Sequence, residues 1–202
     1  MAIDAKLVMQ LRNETSAGVN DCREALEKSG GDMTKAKAYL KEKGLAKGAK
    51  LADRAAKQGR IAAYVHGSDE GGKTGRGGAL VELNCETDFV AKAPEFIELA
   101  KDLATQVYGY DPKYVTRDQI PSALLEEEKA KYAEDVKGKP PEIAEKVLEA
   151  KLDKNLYSRL VLMDMPYFRD EATKVGDVIR GKIATMKENI VVGRFARFEI
   201  GS

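Results

Sequence analysis

The run Gly67-Ser68-Asp69-Glu70-Gly71-Gly72-Lys73-Thr74 has the glycine, lysine and hydroxyl spacing of a loop that cradles nucleotide phosphates. Further on, Leu160-Val161-Leu162-Met163-Asp164 has the form of an apolar strand ending in a magnesium-directed acid. Together they would make a nucleotide-hydrolysing site. A phosphate loop works because a helix begins at its Lys-Thr pair and aims free N–H groups at the phosphates. Here Gly75-Arg76-Gly77-Gly78 follows, which cannot sustain a helix, and a strand pattern follows that. The run is expected to be a glycine-rich hairpin loop instead.

Other reactive constellations are thinner. His66 is the only histidine, and neither Cys22 nor Cys85 has an identifiable base beside it. The two cysteines lack the close spacing of a metal site and are too few for a disulfide framework, which suits a reducing cytosol, so they read as small buried hydrophobes. Glu126-Glu127-Glu128, followed by Lys129 and Lys131, reads as a solvated helix face. Covalent or metal catalysis is not expected, and no cofactor is implied.

The remaining candidate is Asn84-Cys85-Glu86-Thr87-Asp88-Phe89-Val90-Ala91, where an acid and a large aromatic stand side by side just after the strand pattern Ala79 to Leu83. The next strong helical pattern starts at Pro94, so the pair sits on a connection. Two placements are open. Phe89 can tuck under the following helix while Thr87 or Asp88 caps a turn, or it can be a probe offered to a partner.

The elements that position these residues follow from periodicity. Residues 1 to about 45 read as three short helices. Asp4 caps the first, with Leu7, Val8 and Leu11 on one face; Cys22, Ala25 and Leu26 line the second; Asp32 caps the third, which buries Ala36, Tyr39 and Leu40 and ends at Gly44. Lys41 to Arg60 is basic, with Lys41, Lys43, Lys47, Lys50, Arg54, Lys57 and Arg60 against only Glu42 and Asp53, and reads as a solvated linker. No aromatic residue is interleaved there for base stacking.

Beyond it, Ile61 to His66 and Ala79 to Asn84 form a hairpin, and Ile190 to Ile200 supplies a third strand with Gly193 as a bulge. Helices fill the interval. Pro94 opens one carrying Phe96, Ala100, Leu103 and Val107; Ser122 caps another; Pro141 opens a third; and Val175, Val178, Ile179, Ile183 and Met186 mark the last. The expected fold class is α+β: a helical module (1–45), a basic linker (46–59) and a core (60–202) of a small antiparallel sheet covered by helices.

The chain has 43% hydrophobic residues, enough for a core, and 34 basic against 33 acidic side chains. A net charge of +1 creates no global field toward nucleic acid or membrane, so a protein partner is expected and direct nucleic-acid binding is not. No apolar run approaches the length of a membrane span, and the N-terminus lacks the apolar core of an export signal.

Four segments, in order, resemble the elongation factor Ts family: Leu11 to Leu26, Glu82 to Ala91, Gly138 to Lys146 and Arg194 to Gly201. The resemblance implies a cytoplasmic guanine nucleotide exchange factor whose partner is elongation factor Tu, with a ubiquitin-associated-like N-terminal module. It implies that Asp88 and Phe89 insert into the GTPase near its magnesium and phosphate region, with Thr87 and Val90 fixing their direction. Arg12, Val19 and Asn20 are carried over as contacts of the module, although the family more often has Gly at Ser16 and Met at Val19 and Asn20. Arg12 read alone is equally a surface cation, and Val19 a turn-packing residue. His66-Gly67 resembles a His-Gly of a second, related hairpin in longer members; otherwise His66 is a polar residue at a strand end.

Longer members contain two homologous core subdomains, whereas here Lys92 to Leu103 runs directly on to Tyr114-Val115. Short members compensate by forming homodimers, which is the expected state here. The segment Leu156 to Asp170 departs most from the family pattern, with Asp164-Met165-Pro166-Tyr167-Phe168 where Gln-Pro-Phe is usual. The competing reading is an adaptor or RNA-binding module of the translation machinery, which would have no use for a wedge at Asp88-Phe89.

Overall fold

The computed structural model describes residues 4–15, 17–67, 69 and 72–201, and of Lys47 the backbone. Ser16, and Ser68, Glu70 and Gly71 of the glycine-rich run, lie outside the described residues. Three helices, α1 (Ala5–Thr15), α2 (Val19–Lys28) and α3 (Met33–Leu51), precede a hairpin of β1 (Gln58–His66) and β2 (Gly77–Cys85). A single turn, α4 (Asp88–Ala91), and the long α5 (Pro94–Tyr110) follow, then α6 (Ser122–Ala130), α7 (Ala133–Val136), α8 (Pro141–Leu152) and α9 (Ser158–Leu160). A small hairpin, β3 (Pro166–Tyr167) and β4 (Asp170–Lys174), leads into α10 (Val175–Met186) and β5 (Ile190–Glu199).

The main sheet has the order β1-β2-β5 and is antiparallel throughout. Alternate residues of the central strand, Ala79, Val81, Leu83 and Cys85, point to one face and are buried. They form one core with Phe96, Leu103 and Val107 of α5 and Ile179 and Ile183 of α10. The fold is therefore α+β, with helices on one face of a small antiparallel sheet. Between Glu82↔Arg194 and Leu83↔Val192 the pairing skips Gly193, which is the expected bulge. A Cβ at that position would lie 2.7 Å from the Glu82 carboxylate, a side-chain end that can swing aside, so it is the bulge that marks this glycine and not a rigid wall beside it.

The first three helices have a core of their own, made by Val8, Leu11, Cys22, Ala25, Leu26, Ala36 and Leu40. The Asp32 side chain accepts from the Lys35 N–H at 3.0 Å and caps α3 as anticipated. That helix does not stop at Gly44. It runs on to Leu51, taking in the first part of the basic stretch, because Gly44 and Gly48 are the contact with α10 and not a terminus. A Cβ at Gly48 would meet the Arg180 carbonyl oxygen at 2.6 Å, and one at Gly44 would touch Ala184 at 3.7 Å.

Gly48→Leu should consequently force α3 away from α10 and cost about 1–3 kcal/mol of stability, the usual penalty of overpacking. The roughly 1 kcal/mol that leucine gains over glycine in helix propensity opposes only part of that loss. Calorimetry reads the result as a lower Tm, and an unchanged Tm would show that the two helices are not in contact.

Three further expectations change. Ser122 makes no capping bond; Pro121 precedes the first turn of α6 and Ser122 lies inside it. Glu128 is buried, not solvated, and accepts hydrogen bonds from Tyr132 Oη (2.8 Å) and Lys131 Nζ (2.7 Å). The divergent segment around Pro166 holds the additional hairpin β3–β4. It is fastened to α5 by buried polar groups: Tyr167 Oη donates to Asp102 at 2.5 Å, and the Phe168 N–H donates to Gln106 at 2.8 Å.

Candidate functional site

The chain leaves β2 at Cys85 and enters α4 three residues later, at Asp88. Thr87 is extended and stands at the N-cap, its hydroxyl accepting from the Val90 N–H at 3.3 Å. Within the turn, Val90 and Ala91 are buried in the sheet core, while Phe89 is 86% exposed. The tucked placement of Phe89 is therefore wrong. The core has taken its neighbours, and one turn of helix cannot put three consecutive side chains on one face.

A helix of one turn has no stability of its own. Here it is held from outside. The Glu188 carboxylate accepts both the Thr87 N–H (3.0 Å) and the Thr87 hydroxyl (2.6 Å). At the other end, Arg60 Nε donates to the Ala91 carbonyl at 2.9 Å, satisfying one of the free acceptors of the last turn. Asp88 pairs with Lys92 one turn on, but both side chains are largely exposed, so this pair contributes little. The result is a large aromatic exposed to solvent on a turn tied at both ends.

Glu188 and Arg60 were not identifiable from the sequence. Met186-Lys187-Glu188-Asn189 reads as a polar turn between a helix and a strand, and nothing local marks it as facing Thr87. Both cysteine thiols are pushed up from their ordinary pKa by burial, and neither is a candidate nucleophile.

The other predicted contacts lie elsewhere. Arg12 is exposed in the last turn of α1 and Asn20 is exposed at the start of α2. Val19 is half-buried and packs against the module's core. His66 is exposed, with Nδ1 3.0 Å from Tyr64 Oη and its ring stacked on Tyr108 at 4.7 Å. The pairing sets His66 opposite Gly77 and Gln58 opposite Cys85, so His66 and Thr87 lie at opposite ends of the hairpin. At ~3.3 Å per residue this separates them by roughly 25 Å along the strands.

The family model described as Elongation factor TS matches residues 30–202. Elongation factor Ts of Coprothermobacter proteolyticus is 48% identical over 203 residues, covering all of both chains. Those of Thermodesulfovibrio yellowstonii and Thermotoga petrophila are 45% and 46% identical, each over all of this chain and 98% of the relative. This chain belongs to the elongation factor Ts family. It is thereby a factor of translation elongation.

Membership of the elongation factor Ts family fits the fate of the apparent phosphate loop. Within it, Thr74 Oγ1 donates to Asp69 at 2.8 Å, and the chain proceeds into strand β2 without a helix. Asp164 is not a metal ligand in waiting either. Arg117 donates to it at 2.7 Å through Nε, and Lys174 at 3.3 Å. Burial alone would raise the Asp164 pKa, but these cations more than offset that and hold it below the ordinary carboxylate range. Among the described residues no group of His, Cys, Asp and Glu could hold a metal ion. Lys73→Ala is expected to leave nucleotide behaviour unchanged: calorimetric titration with ATP or GTP should give no binding for either protein. A micromolar affinity abolished by the substitution would restore the hydrolase reading.

Proposed function

We propose that this protein is a guanine nucleotide exchange factor that binds elongation factor Tu and promotes GDP release, without covalent chemistry and without a cofactor. The observation that carries this reading is Phe89, 86% exposed on a turn fixed at both ends. An aromatic ring left in water on a rigid support is built to be buried by something else. An exchange factor needs no reactive group, because it accelerates release by binding the nucleotide-free GTPase better than the loaded one.

In this reading Phe89 enters an apolar gap among helices of the GTPase and Asp88 disturbs the polar contacts that support its magnesium and phosphates. Thr87 and Val90 aim the pair. The first three helices act as a ubiquitin-associated-like docking module through Arg12, Val19 and Asn20, and His66 supplies a lesser contact at the far end of the hairpin. The division into a docking module (1–45), a connection (46–59) and an exchange core (60–202) is a functional one, since α3 continues through the first connecting residues. The protein acts in the cytoplasm as a homodimer. No helix among the described residues is long and apolar enough to cross a membrane.

An adaptor that merely bound helices or RNA would have no use for a stiffened, exposed Phe89. The test is to mix the protein with elongation factor Tu loaded with a fluorescent GDP analogue and follow its release. Acceleration that grows with protein concentration is expected; release at the spontaneous rate would leave the adaptor reading in place.

A further inference from the structure

We propose that Glu188 is a positioning residue for exchange, its carboxylate orienting Thr87 and thereby the direction in which Phe89 projects. This rests on the exchange reading above and assigns a role to a residue remote in sequence from the wedge. Few groups determine the conformation of α4. Four residues cannot hold a helical turn by propagation of backbone bonds, so with Val90 and Ala91 anchored in the sheet core the orientation of Phe89 is set by whatever fixes the two ends.

At the N-terminal end that group is Thr87, and its hydroxyl has two tasks. It accepts from the Val90 N–H at 3.3 Å and donates to Glu188 Oε1 at 2.6 Å. A free threonine hydroxyl rotates among staggered positions. Glu188 removes that freedom, because the proton is drawn to the carboxylate while the Thr87 N–H is held by the other oxygen at 3.0 Å. Both bonds are charge-assisted, and committing the proton to Glu188 leaves the hydroxyl lone pairs facing the turn. The bond to Val90 is long, so its direction depends on this outside support.

The approach of Glu188 is itself fixed. α10 ends at Lys187 in a left-handed conformation (φ 62°), which turns the chain back toward the β2–α4 junction. The next residue, Asn189, is buried and locks the corner: its N–H donates to Glu86 at 2.7 Å, and its side-chain amide donates to the carbonyls of Ala52 (2.8 Å) and Arg54 (2.6 Å) just past α3. The wedge turn, the end of α10 and the end of α3 therefore meet at two adjacent residues. Glu188 is only half-buried, and water can take over the Thr87 N–H if the carboxylate is removed. Its removal should loosen the turn without unfolding the core.

The test uses the full chain. Glu188→Ala should slow stimulated GDP release roughly 10-fold to 100-fold, the worth of one charge-assisted hydrogen bond, with the Tm near that of the wild type. Glu188→Gln, whose single carbonyl oxygen can replace only one of the two acceptors, should recover part of the rate. Combining Glu188→Ala with Thr87→Val should be no slower than the slower single variant, since both remove one device. Independently of any partner, amide hydrogen exchange at Thr87 and Val90 should quicken in Glu188→Ala while Val81 and Leu83 stay protected. Unchanged amide protection at Thr87 and Val90, or losses in rate that simply multiply in the double variant, would overturn the proposal. A wild-type protein that fails to accelerate GDP release from the GTPase would defeat the exchange reading, and the amide measurement would still decide whether Glu188 orients the turn.

Discussion

Phe89→Ala is expected to slow stimulated GDP release by roughly 30-fold to 1000-fold while leaving the fold intact, the loss of about 2–4 kcal/mol that accompanies truncation of a hot-spot aromatic. With 86% of its surface in water, the ring fills no cavity, and surface substitutions of this kind stay within about 0.5 kcal/mol of neutral. Phe96, in the first turn of α5, is the internal contrast. It is fully buried in the sheet core, and Phe96→Ala should cost about 3–5 kcal/mol of stability, with activity falling only as the protein unfolds. Tm and GDP-release rate measured on both variants separate the two roles. If Phe89→Ala melted early yet kept its exchange rate per folded molecule, the wedge assignment would fail.

What could be read from the sequence and what could not divide along a physical line. The strands around Val81, the faces of α5 and α10 and the bulge at Gly193 were legible because each leaves a local signature: alternation, helical spacing, or a glycine within a strand. Phe89 could be assigned to a connection but not to solvent or core. Its exposure depends on Val90 and Ala91 having been claimed by the sheet core, and its support on Glu188, 101 residues beyond Thr87. No window of sequence contains that information.

The glycine pair of α3 shows the same limit from the other side. Gly44 looks like a helix stop because glycine is costly within a helix. In α3 the cost is accepted because a helix crossing needs small residues at Gly44 and Gly48, and the surface that requires them, around Arg180 and Ala184, is distant in the chain. Glu128 was misjudged for a related reason: its partners Lys131 and Tyr132 are close in sequence, yet only packing decides whether the carboxylate faces water. Asp102, which receives Tyr167, is invisible in the same way.

The homodimer is the remaining large expectation, and the outer face of the sheet is where it should form. Ile61 (69% exposed), Leu80 (45%) and Phe198 (69%) come from β1, β2 and β5 and share the face away from α5 and α10. Leu80 is opposite Ala63 on one side and Ala196 on the other, and Val65 lies beyond Ala63, so the apolar surface is continuous. At its middle Glu82 and Arg194 neutralise each other at 2.8 Å, leaving no net charge to repel a second copy. A two-fold pairing of such faces makes each substitution count twice. Replacing Ile61 by Lys forfeits about 1.5–3 kcal/mol of burial per copy, or about 3–6 kcal/mol per dimer, and weakens association by roughly 100-fold to more than 10,000-fold. Sedimentation equilibrium at micromolar concentration should therefore move from twice the 22.1 kDa chain mass to the chain mass itself. The Tm extrapolated to low concentration should stay put, because Ile61 supports nothing within its own chain. A wild-type protein that sediments as a monomer at these concentrations would mean that the sheet face is left for the GTPase or for water, and that a single core subdomain suffices for exchange.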